Sequence, residues 1–75
     1  MSKKELYIVS TYSRGSSFYI IISEFTKKRY KYYSEIGTVE FETDNYMLAS
    51  EFTNKLYFEN LKDNENTFAC FFDRS

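Results

Sequence analysis

The most constraining feature is the stretch 16–34, SSFYIIISEFTKKRYKYYS. Its first half, Phe18 to Ile22, is the most apolar run in the chain. Its second half, Lys27 to Tyr33, is the most basic and aromatic. A continuous apolar run rather than an alternating one reads as a strand covered on both faces, hence a central strand. The basic run behind it has to reach solvent or a partner, so the two halves fix a core strand beside a candidate contact surface.

The rest of the chain divides around this stretch. Leu6–Tyr12 is β-branched and aromatic and reads as a first strand. Ser13–Ser16 is a turn, with Gly15 free to take positive φ. Ser17–Phe25 is the second strand. Thr26–Lys28 leads into a third, Arg29–Ser34, where Tyr30 and Tyr32 alternate with Arg29, Lys31 and Tyr33. Glu35–Gly37 turns the chain again. In Thr38–Thr43, Val39 and Phe41 read as core and Glu40 and Glu42 as solvent-facing. At Asp44-Asn45 the period changes: Leu48, Phe52 and Leu56 recur at helical spacing, with Asp44 as the N-cap. This predicts a short helix around residues 45–54, against a competing strand reading of the even positions 46–58. Leu56–Leu61 is strand-like, Lys62–Asn66 a polar loop, and Thr67–Phe72 a closing strand, giving a C-terminal hairpin. The expected fold is α+β, mainly β: a small antiparallel sheet or curled barrel of five to six strands with one short helix.

Size limits what such a fold can do alone. Seventy-five residues form one domain with a small core. Eight Phe and eight Tyr carry most of its burial. Cys70 is the only cysteine and there is no His, so disulfides are excluded, a metal site is not expected and no cofactor is implied. Oligomerisation remains as the helper. Cys70, set between Ala69 and Phe71, reads as a buried, inert thiol. The polar start Met1–Glu5 lacks the form of a signal peptide, and no apolar run reaches membrane-spanning length. The expectation is a soluble protein of the cytoplasm.

Charge is segregated. Net charge is −1, yet residues 1–34 carry seven cations against two acids and residues 35–75 carry three against nine. Lys27, Lys28, Arg29, Tyr30, Lys31 and Tyr33 form the first candidate contact set, either with nucleic acid through phosphate pairing and base stacking or with protein. Against the nucleic-acid reading stands an overall pI of about 5.4. The duller reading pairs these cations with Glu40 and Glu42 on the neighbouring strand. Glu40, Glu42 and Asp44 form the second set, a row of carboxylates projecting from one strand face at intervals of about 7 Å. Neither set contains the converging carboxylates or the base-and-nucleophile pair that catalysis needs.

In general character the chain resembles the small orphan proteins of bacteriophages and mobile elements. That resemblance implies a non-enzymatic module that inhibits a host protein or nucleoprotein complex, such as a CRISPR effector or another defence enzyme. Self-association as a homodimer is compatible with it. A small single-stranded nucleic-acid-binding domain using 27–33 is the alternative.

Overall fold

A computed structural model describes residues 5–71. The chain runs β1 (Tyr7–Arg14), β2 (Ser17–Glu24), α1 (Lys27–Ile36), β3 (Thr38–Thr43), α2 (Tyr46–Leu61) and β4 (Thr67–Phe71). The four strands form one mixed open sheet in the order β3-β1-β2-β4. This is α+β, but with four strands and two helices rather than five or six strands and one.

The β1–β2 hairpin is the centre. A two-residue turn at Gly15-Ser16 closes it, with Arg14 opposite Ser17. Gly15 has φ +62°, the positive value that the first central position of a type II′ turn requires. β3 lies antiparallel on the far side of β1, and β4 lies parallel to β2. The connections β2–α1–β3 and β3–α2–β4 cross the sheet in opposite directions. Right-handed crossovers then place the two helices on opposite faces.

On one face Tyr7, Val9, Ile20 and Ile22 are buried with Ala49 of α2, and Phe18, Phe41, Phe52 and Leu56 pack around them. Phe41 and Phe52 stack at 4.6 Å. The other face carries Ile8, Ser10 and Ser23, all fully or almost fully buried, with α1 packed on the β1/β3 half. Gly37 ends α1 where a Cβ would lie 2.0 Å from the Thr11 carbonyl oxygen.

Five expectations are corrected. Arg29–Ser34 is not a strand. The Thr26 hydroxyl caps it as a helix by accepting from the Arg29 amide at 3.0 Å. The run 27–34 holds no β-branched residue, Gly or Pro, so local helix formation from Thr26 outweighs the alternation of its tyrosines. Leu56–Leu61 is likewise no strand, and the C-terminal hairpin does not form. The helix expected at 45–54 continues to Leu61, and β4 finds β2 instead. The N-cap of α2 is Asn45, whose side chain accepts from the Met47 and Leu48 amides, rather than Asp44. Finally, a register shift between Val9 and Ser10 pairs Phe41 with Val9 but Val39 with Ser10. The two residues expected to share a face lie on opposite faces, Phe41 toward α2 and Val39 toward α1.

Three substitutions test this packing. Gly37→Ala should cost about 2 kcal/mol or more, because backbone cannot yield to the new Cβ. Gly15→Ala, with open space around it, should cost only the positive-φ penalty of about 1 kcal/mol. Urea denaturation with matched slopes measures both. The Ser23 hydroxyl is buried with no hydrogen-bond partner, so Ser23→Ala should leave stability unchanged or raise it by about 1 kcal/mol in the same assay.

Candidate functional site

α1 covers only half of its sheet face. By strand alternation, β2 and β4 present Tyr19, Ile21, Phe68 and Cys70 on that side, beyond the helix. Tyr19 and Ile21 are half-buried, and Phe68 and Cys70 are exposed. The thiol expected to be buried and inert is therefore at the surface. β4 is an edge strand, so its side chains on this face have neighbours on one flank only.

The floor of this open half is an aromatic ladder running across three strands. Tyr12 stacks on Tyr19 at 5.1 Å and 18° between planes. Tyr19 stacks on Phe68 at 5.5 Å and 25°. Rings this close and this nearly parallel cover one another's faces and turn their edges outward. At the α1 side the ladder meets Tyr32 and Tyr33, which contact each other edge to face at 5.2 Å. Burial pushes the Tyr12 and Tyr33 hydroxyls above the ordinary 10.0, and repulsion from neighbouring ionisable groups adds to it. For Tyr12 these neighbours are Cys70, Tyr19 and Tyr32, with Arg14 working in the opposite direction.

The sequence-derived candidates are distributed as follows. Lys27, Lys28, Arg29, Tyr30, Lys31 and Tyr33 all fall on α1, beside the open half-face. Of the tyrosines, Tyr33 is half-buried, while Tyr30 and Tyr32 are 41% and 56% exposed. Arg29 reaches Glu24 at 3.8 Å. The expected pairing of the basic run with an adjacent acidic strand is not the arrangement found, since the run is helical, and Glu40 accepts a hydrogen bond from the Thr11 hydroxyl at 2.9 Å. Glu40 and Glu42 lie on β3, the opposite edge of the sheet from β4. The register shift breaks their even row. Glu40 is the extra residue and turns to Thr11, while Glu42 stands opposite Ile8. Asp44 follows in the loop to α2. α1 packs on β1 and β3, so the two candidate sets lie on neighbouring elements, while Arg29 pairs with Glu24 of β2.

Sequence reading missed Tyr12, Tyr19, Phe68 and exposed Cys70. The Tyr12–Tyr19 pair was recoverable, because the two residues are equidistant from the Gly15-Ser16 turn. Phe68 was not, because nothing local signals a parallel partner 49 residues away.

Among the described residues no group of three or more Cys, Asp or Glu is placed to hold a metal ion. No helix among them is long and apolar enough to cross a membrane.

The raised hydroxyls give a prediction of sign. A tyrosine whose pKa is higher folded than unfolded contributes stability that is present below the unfolded value. That contribution is lost as pH rises through the folded one. Stability should therefore fall above about pH 10. In an ultraviolet phenolate titration Tyr12→Phe and Tyr33→Phe should each remove a fraction that ionises above the ordinary value of 10.0. No family model, curated protein or solved structure matches this chain.

Proposed function

We propose that the protein is a non-enzymatic protein-binding module whose working surface is the open β2/β4 half of the α1-side face. One observation carries this reading. α2 covers β2 and β4 on one face, whereas on the other the pair leaves the apolar and aromatic side chains Tyr19, Ile21 and Phe68, with Cys70, without a helix above them. The vacant position beside α1 suits a second helix, supplied by a partner, that completes the layer. α1 would flank it with Lys27, Lys28, Arg29 and Lys31 against the single acid Glu35, which favours an apolar partner helix with an acidic border. Tyrosine, phenylalanine and arginine are the residues that concentrate energy in such contacts. The corresponding activity is inhibition by occupation of a surface on a host protein or nucleoprotein complex, as the resemblance to small phage proteins implies.

The nucleic-acid alternative has the cations in its favour. Its difficulty is the ladder. Base stacking needs free ring faces, and here Tyr19 has both faces covered and Tyr12 and Phe68 one each.

Affinity capture from a host extract, compared across variants, tests the proposal. The wild type should retain a defined protein. Phe68→Lys should lose it, and Lys28→Glu with Lys31→Glu should weaken it about tenfold or more. Salt-sensitive retention on immobilised oligothymidylate, with no protein lost on Phe68→Lys, would instead support the nucleic-acid reading.

A further inference from the structure

The outer edge of β4 carries an inference independent of any foreign partner. Phe18 donates its amide to the Asn66 carbonyl at 2.9 Å, so the backbone groups of Asn66 point at β2. Alternation along the strand then turns the backbone groups of Phe68 and Cys70 to β2 as well. The N–H and C=O of Thr67, Ala69 and Phe71 point outward, past the edge of the sheet.

Edges of this kind are ordinarily blunted by charges, Pro, a bulge or a covering segment. Thr67–Phe71, TFACF, contains neither charge nor Pro, and its pairing with β2 runs without a register shift; the polar tail Asp73-Arg74-Ser75, which the sequence suggests would limit edge pairing, lies outside the described residues. Phe68 and Phe71 are 46% and 45% exposed, on opposite faces of the strand. Each face of this edge thus offers an aromatic side chain next to a row of outward-pointing backbone groups.

We infer that β4 pairs antiparallel with β4 of a second copy about a two-fold axis at Ala69, joining two sheets into one of eight strands. The strand is self-complementary in that register. Ala69 meets the second copy's Ala69, and Thr67 meets its Phe71, so each outward donor finds an outward acceptor. The residue on the axis faces its own copy, and the small alanine side chain avoids a like-with-like clash there. On the α1 side Phe68 lies opposite the second copy's Cys70, which extends each aromatic ladder toward the other. The symmetry closes the contact at two copies. It also supplies what a chain this small otherwise lacks, a larger shared core. The two open half-faces become one continuous floor between two basic helices.

Mass by light scattering across a dilution series reads this directly on the full chain. The expected value is twice the 9.0 kDa of one chain. Ala69→Pro removes one outward N–H and leaves the ladder to β2 intact, so it should give the single-chain mass with an unchanged circular dichroism spectrum. A wild-type mass of one chain at every concentration overturns the inference. If Ala69→Pro does not fold, the register is read from Phe68→Cys. In the proposed pairing the new thiol faces the second copy's Cys70 at a non-hydrogen-bonded position, where Cα atoms are about 4.5 Å apart, within disulfide reach. Mild oxidation should give a covalent dimer that Cys70→Ser abolishes. Equal crosslinking of Phe68→Cys with and without Cys70→Ser contradicts the register.

Discussion

The parallel pairing of β4 with β2 is the constraint on which the rest depends. It fixes α2 as a crossover that passes beneath β1 and β2, and so creates the core of Val9, Ile20, Ile22 and Ala49. It makes β4 an edge with outward donors. It aligns Phe68 with Tyr19 and so builds the ladder. It also leaves a parallel pair half uncovered, because α1 is committed to β1 and β3. Hydrogen bonds of the connecting loop hold the pairing in place. The Asn64 side chain donates to the Ser16 carbonyl at 3.1 Å, and the Thr67 hydroxyl donates to the Asn64 carbonyl at 2.6 Å. These contacts pin the end of α2 to the β1–β2 turn and deliver Thr67 beside Phe18.

What was legible in the sequence were the elements with a strong local cause. The β1–β2 hairpin could be read because Gly15 sits between two apolar runs. The helix after Asp44 could be read because Leu48, Phe52 and Leu56 keep a helical period. Arg29–Ser34 misled because lysine and tyrosine carry no decisive period, and the deciding group, the Thr26 hydroxyl, lies before the segment. Leu56–Leu61 misled because an apolar end of a long helix looks like a strand when its start is not counted with it. The strand pairing of β4 was illegible for a different reason. Hairpins are announced by their turns, whereas a parallel partner is chosen by tertiary packing. The site inherited that blindness: the basic-aromatic run was visible, but the ladder beside it needed β4 in place.

Charge and apolar surface are arranged together rather than separately. The cations of the basic run, read as a strand, had acidic neighbours to neutralise them. As a helix capped by Thr26 they ride on α1, which packs on β1 and β3 beside the open half-face, with Arg29 paired to Glu24 and Glu40 engaged by Thr11. The proposed preference for a protein partner over stacked bases rests on the stacking of Tyr19 between Tyr12 and Phe68 rather than on net charge.

The most direct test of the account is the set of cross-strand nuclear Overhauser effects of β4 in solution. The structure predicts contacts linking Phe18, Ile20 and Ile22 to Thr67, Ala69 and Phe71 in parallel register. Antiparallel contacts between residues 56–61 and 67–71, the pattern of a C-terminal hairpin, would contradict it and remove the open half-face, the ladder and the free edge together.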